Sequence, residues 1–150
     1  MSLANLRWRT YLPTLAGWLV GAVFAAAAVP KILQPGEFAV AIYRYQLLPH
    51  ATINGLAIFL PWLEICCAAA LFFLPRWRRG ALLLVLLMLL VFTTAIGLNL
   101  YRGLDIACGC FSVNAAKGHL GWLSLARNAA LLLATGWALR ATAAAPPPAR

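Results

Sequence analysis

The sequence predicts an all-α integral membrane protein: a four-helix transmembrane bundle with a short amphipathic helix on its outer surface, in the first loop. Three observations predict it. Hydrophobic residues make up 64% of the 150-residue chain and charged residues 10%, with a mean hydropathy of +0.86, far from the usual soluble balance. The apolar residues fall into four runs, about 11–29, 51–74, 81–100 and 119–139, each close to the roughly 20 residues a helix needs to cross a hydrocarbon core of about 30 Å. These runs are continuous Leu, Ala and Val, whereas a membrane β-barrel is written in stretches of about 10 residues with alternating polarity.

The first run follows Arg7 and Arg9 and ends in "FAAAAVP", which resembles a secretory signal with a small-residue cleavage site. Its apolar stretch exceeds a signal's core of about 7 to 15 residues, so a retained first helix is the expectation. The next segment, "PKILQPGEFAVAIYRYQLLPH", is too polar to cross a bilayer. Phe38, Ile42 and Tyr45 recur there at helical spacing, with Glu37 and Arg44 off the stripe. That pattern predicts a short helix from about Gly36 to Leu47, bounded by Pro35 and Pro49 and lying on the bundle or in the interface.

Pro61 should kink the second span just before Glu64. The connection from Pro75 to Gly80 is so short that the second and third spans must be antiparallel neighbours. A longer loop, Arg102 to Gly118, can fold back over the outer end, and residues 141–150 read as a disordered tail with polyproline character. Residues 1–140 form one membrane domain in this reading.

The net charge of +9 does not point to nucleic acid, because the basic residues punctuate the ends of apolar runs instead of clustering on one face. Seven of them (Arg7, Arg9, Arg76, Arg78, Arg79, Arg140 and Arg150) flank the N-terminus, the second loop and the C-terminus. The first and third loops carry four: Lys31, Arg44, Arg102 and Lys117. The positive-inside tendency therefore places both termini in the cytoplasm and "CGC" on the outer face. In a bacterial inner membrane that face is the periplasm, where disulfides form and persist.

Cys108 and Cys110, with Gly109 between them, are the chemistry-bearing feature of the third loop. Cysteines one residue apart have Cα atoms about 5.5 to 7 Å apart, at the upper part of the range of roughly 4.4 to 6.8 Å that a disulfide accepts. Gly109 supplies the unusual dihedrals such a small ring requires. Strained, exposed bridges tend to be the exchangeable ones, which favours thiol-disulfide exchange over stapling. A structural disulfide is the main rival. A metal site is a weak one, since C-x-C with His119 or Asp105 lacks a recognisable four-ligand spacing, and no metal is expected. His119, when protonated, can favour a thiolate in the pair. Cys66 and Cys67 are adjacent on a helix, cannot bridge, and read as buried filler.

Glu64 and Arg127 sit inside apolar runs, where each would cost roughly 2.5 to 3.5 kcal/mol if left alone. They lie about 20 and 12 Å below the outer face at 1.5 Å per residue, a gap a long Arg side chain largely closes. The expectation is an ion pair between the second and fourth spans, or a proton or quinone site built from Glu64, Arg127, Asn128 and Lys31. Lys31, at the outer end of the first run, is expected to snorkel. Asn99 and Asn128 are expected to hydrogen-bond between helices.

Together, "KILQPGEFAVAIYRYQLLP", "LPWLE", "CGCF" and the later "RN" resemble the MauE branch of the MauE/DoxX group of small four-helix redox-associated membrane proteins. The resemblance runs from about Lys31 to Leu133, most of the chain. Matching positions include Lys31, Pro35, Phe38, Tyr45, Pro49, Pro61, Glu64, Cys108, Gly109, Cys110, Phe111, Arg127 and Asn128. The family often continues its motif as CGCFG, whereas Ser112 stands here, which bears on the turn and not on the thiols. The resemblance implies a role in maturing exported proteins or supplying them with reductant, together with a thioredoxin-fold partner. In the methylamine branch the implied client is a disulfide-rich subunit of methylamine dehydrogenase, and the wider DoxX group implies quinone-linked chemistry. A non-catalytic assembly or scaffold protein with a permanent bridge is the alternative from another class. A small-molecule transporter is a third, disfavoured by four spans and one buried charge pair.

Overall fold

In the computed structural model the described residues are 3–103 and 121–144, with side chains described from Tyr11 to Arg102 and from Trp122 to Thr142 and Ala143. The described residues form five α-helices: α1 (Leu3–Leu33), α2 (Pro35–Arg44), α3 (His50–Phe73), α4 (Arg78–Tyr101) and α5 (Gly121–Ala144). A 3₁₀ turn, Pro75–Trp77, joins α3 to α4. No strand occurs among the described residues.

Three segments are long and apolar enough to cross a membrane: Tyr11–Leu33, His50–Phe73 and Pro75–Tyr101. They correspond to the first three expected spans. The fourth expected span falls on α5, which has 24 residues but is not among the three. Ser124, Arg127 and Asn128 in its first turns lower its hydropathy.

The helices meet along small and branched residues. Val20 and Phe24 of α1, Leu71 of α3, Leu82 and Val85 of α4, and Leu131 and Ala138 of α5 share one buried cluster. Leu19, Phe59, Leu87 and Leu133 instead point outward and are exposed. A soluble bundle would place polar residues there, whereas a bilayer makes apolar outward faces favourable.

Two arginines pin one end of the bundle. Arg78 Nη1 donates to Thr14 Oγ1 of α1 at 3.0 Å, and Arg79 donates through Nε and Nη2 to the Thr142 carbonyl of α5. The beginning of α4 therefore lies beside the early part of α1 and the end of α5, so α4 and α5 are antiparallel. The opposite end, where α3 begins, α4 finishes and α5 begins, is called the upper end below.

α2 starts one residue after α1. Gln34 leaves helical geometry (φ −131°, ψ 64°), and Pro35, which has no N–H to donate, takes the first helical position. The predicted short helix is thus present, slightly shorter than Gly36 to Leu47. Of the two placements expected, on the bundle or in the interface, it takes the first: it packs on α3, and Phe38 is buried. Pro61 sits inside an uninterrupted α3.

Candidate functional site

Lys31 lies in the last turn of α1, and Glu64 lies fourteen residues into α3. At 1.5 Å per residue, Glu64 is about 21 Å along α3 from its beginning and about 14 Å from its end. Lys31 Nζ donates to Glu64 Oε1 at 2.6 Å and to Oε2 at 2.9 Å, and both side chains are 2% exposed. A lone charge at this depth would be costly, so pairing with two charge-assisted hydrogen bonds is the arrangement that makes both tolerable.

This pairing corrects two expectations. Lys31 does not snorkel, because the chain above it continues into α2 and encloses it. Glu64 takes its ion-pair partner from α1, whereas the sequence reading gave it Arg127 of α5. Arg127 is half-buried.

Two aromatic rings complete the surroundings of the ammonium. The Phe38 ring of α2 lies 5.1 Å from Lys31 Nζ and the Phe92 ring of α4 lies 5.5 Å from it, both within reach of a cation–π attraction. Side chains of α1, α2, α3 and α4 therefore converge on one charge. Phe38 was legible as the buried stripe of α2. Phe92 was missed, and its signal was a single aromatic ring closing the aliphatic run "LLLVLLMLLVF".

Above the pair, a cavity of about 490 Å³ opens between α2, α3 and α4. Lys31, Phe38 and Phe92 line it, together with Leu56 and Leu60 of α3 and Ala95 of α4. Its rim includes Leu48, Val91 and Leu98, which are exposed on the outward surface.

Polar groups also gather toward the upper ends of α4 and α5. Asn99 and Asn128 are each 3% exposed, yet among the described residues Asn99 Nδ2 and Oδ1 and Asn128 Nδ2 have no hydrogen-bond partner. Among the described residues the expected interhelical hydrogen bonding of Asn99 is therefore not formed. Cys67 is buried as expected, but Cys66 is exposed on the outward surface. No group of three or more His, Cys, Asp or Glu side chains suited to a metal occurs among the described residues.

Cys108, Gly109, Cys110, Phe111 and His119 lie outside the described residues. The helix ends that flank this segment, Tyr101 of α4 and Gly121 of α5, are both at the upper end. The cavity and Asn99 are in that same half of the bundle.

Comparison with known proteins adds the lineage. A family model described as methylamine utilisation protein MauE matches residues 9–141. The chain is 40% identical over 129 residues to the methylamine utilization protein MauE of Methylorubrum extorquens, covering 83% of this chain and 68% of that protein. It is 36% identical over 117 residues to the protein of the same name from Methylophilus methylotrophus, covering 77% and 61%. The counterpart from Paracoccus versutus is 40% identical over 128 residues, covering 85% and 66%. The chain thus spans about two thirds of the length of these curated relatives. No solved structure matches it significantly. With the family model covering most of the chain and these identities beside it, this multi-pass membrane protein belongs to the methylamine utilisation protein MauE family.

Proposed function

We propose that this chain is a bacterial inner-membrane protein that exchanges disulfides with an extracytoplasmic client through Cys108 and Cys110. One observation carries the reading. A C-x-C pair, with glycine between the sulfurs, occupies the segment that links the adjacent upper ends of α4 and α5. Membership in the MauE family and the methylamine utilization named for its relatives support a client in that metabolism; exchange through a C-x-C pair suits a disulfide-rich exported client, with a thioredoxin-fold protein as exchange partner.

In this reading α5 is the fourth crossing, its Arg127 and Asn128 turned toward the bundle. Both termini and the arginine-rich Pro75–Gly80 connection are cytoplasmic, and the cysteine segment faces the periplasm. The chemistry is a two-electron exchange. One thiolate attacks a sulfur of the client disulfide, forming a mixed disulfide and releasing a client thiolate, which takes up a proton. The second cysteine, after losing its own proton, attacks the mixed bridge. The client leaves as a dithiol and Cys108–Cys110 is left oxidised; the reverse sequence oxidises a client.

Acid trapping of the native redox state, followed by mass-shift labelling, tests the proposal. A cycling pair is partly reduced in cells, and Cys108→Ser or Cys110→Ser accumulates a mixed disulfide with a partner. A pair that is always oxidised, whose double serine variant still matures its client, would identify a structural bridge in an assembly factor instead.

A further inference from the structure

We propose that the start of α4, at the lower end of the bundle, binds one anionic glycerophospholipid. Arg76 and Arg79 hold its phosphodiester, and an acyl chain lies along Leu83, Leu87 and Leu90. The proposal does not rest on thiol exchange at Cys108 and Cys110.

The two guanidinium groups stand on one helical surface. Arg76 belongs to the 3₁₀ turn Pro75–Trp77, and Trp77 (φ −96°, ψ −1°) and Arg78 (φ −53°, ψ −41°) keep right-handed helical geometry into α4. Residues 76 and 79 are therefore neighbours three apart, a spacing at which like charges repel. Both are exposed. The Thr142 carbonyl fixes Arg79 by accepting from Nε and Nη2, which leaves three of the five guanidinium N–H groups for another acceptor. Gly80, four residues after Arg76 on the same surface, leaves room beside them: a Cβ there would meet nothing within 4 Å.

No side-chain carboxylate of this chain offsets these charges. The sequence has three acidic residues, Glu37, Glu64 and Asp105. Glu37 is on α2, in the upper half, and Glu64 is bound to Lys31. Asp105 follows Tyr101 by four residues, at most about 14 Å of chain, whereas α4 is about 36 Å long. The acceptors of Arg78 and Arg79, Thr14 Oγ1 and the Thr142 carbonyl, are neutral. The first turn of α4 holds no acidic residue, so the positive end of its dipole adds to the charge of the arginines. The complementary partner is an anion from outside the chain.

The surface beyond the arginines selects a lipid over a soluble anion. Leu83, Leu87 and Leu90 follow Arg79 at four, eight and eleven residues along one stripe of α4, and all three are exposed. Trp77, exposed in the turn, suits the headgroup layer, where its ring meets both an apolar and a wet environment. A phosphodiester with acyl chains covers the stripe and the charges together. A phosphocholine lipid carries its own cation, which weakens the attraction. A second copy of the chain, related by a twofold axis along the membrane normal, would bring its own Arg76 and Arg79 to the same level, where like charges oppose the contact.

The test titrates the purified full-length chain in detergent micelles with dioleoylphosphatidylglycerol and counts retained lipid by native mass spectrometry. One lipid is expected to bind at least about tenfold more tightly than dioleoylphosphatidylcholine. Arg76→Gln removes an exposed guanidinium and should weaken binding roughly tenfold. Gly80→Phe places a ring in the open space, removes no charge, and should give a similar loss. Arg140→Gln removes the same charge from an exposed position on α5 and should change affinity less than about twofold. Glycerol 3-phosphate, the head without its tails, should compete at least about a hundredfold less well than the lipid. Equal affinity for the choline lipid, undiminished binding in both Arg76→Gln and Gly80→Phe, or an equal loss in Arg140→Gln would overturn the proposal, the last by showing diffuse attraction. Equal competition by glycerol 3-phosphate would also overturn it, identifying a site for soluble phosphate.

Discussion

Lys31→Met keeps an unbranched side chain of similar length and deletes the ammonium. It leaves Glu64, 1% exposed, with its carboxylate facing the vacated position in the middle of α3. Removing one partner of a buried pair costs roughly 3 to 5 kcal/mol, mostly because the other charge is stranded. Two close hydrogen bonds place this pair at the strong end, so the coupling between Lys31→Met and Glu64→Gln in a double-mutant cycle should be about 2 to 3 kcal/mol. The variant Lys31→Met/Glu64→Leu strands no charge and should lie within about 1 to 2 kcal/mol of the native protein, since apolar replacement of a whole buried pair is often nearly neutral. Reversible unfolding in mixed detergent micelles, followed by circular dichroism, measures all of these. A coupling below about 0.5 kcal/mol would refute the pairing. So would a larger coupling in the parallel cycle with Glu64→Gln and Arg127→Leu, which would restore the α3–α5 pair that the sequence suggested.

Other substitutions test the packing. A Cβ at Gly21 would lie 3.2 Å from the Phe72 ring and 3.4 Å from Leu71 Cβ, so Gly21→Val should cost about 1 to 3 kcal/mol in the same unfolding assay. Gly17, one turn earlier, has nothing within 4 Å of that position, and Gly17→Ala should stay within about 1 kcal/mol of native or gain slightly from helix propensity. Asn99→Leu removes a buried amide whose two polar atoms have no partner among the described residues and should stabilise by about 1 to 2 kcal/mol; a loss of similar size would show that the amide is bonded in the native membrane. N-ethylmaleimide in detergent should alkylate Cys66 well before Cys67, because the first is exposed and the second is buried; equal rates would contradict the rotation of α3.

The class of fold was legible because continuous apolar runs of about 20 residues have few alternatives. The break before Pro35 and the antiparallel turn at Pro75 were legible for a related reason, since proline fixes local geometry wherever it stands. The partner of Glu64 was not legible. Depth along each run measures position within that helix alone, and the vertical offset between helices comes from packing at distant small residues such as Gly21. Asn99 looked like a bridging side chain for the same reason: hydrophobic periodicity says which way a residue faces, not what stands opposite. Cys66 and Cys67 were read alike, yet the 100° between neighbours on a helix puts one inside and one outside. The cysteine pair carried its meaning in composition and spacing, while the described structure supplies only the helix ends on either side of its segment, Tyr101 and Gly121.

The position of Lys31 follows from unequal helix lengths. Gly21 meets Leu71 and Phe72, and from that level α1 runs twelve more residues, whereas α3 has twenty-two between Phe72 and its beginning. At 1.5 Å per residue these are about 18 and 33 Å, so α1 stops about 15 Å short of the upper end of α3. The ten residues of α2 are about 15 Å long and pack along α3 across that interval. Had α1 simply continued through Gln34, its axis would have carried residues 35–44 straight on. The break at Pro35 instead reorients the chain and brings Phe38 over the Lys31 ammonium. One face of α2 then turns toward α4 across a gap that no described side chain fills. The buried pair and the cavity above it thus share an origin: a first helix that ends in mid-bundle and a proline that sends the chain back against its neighbour.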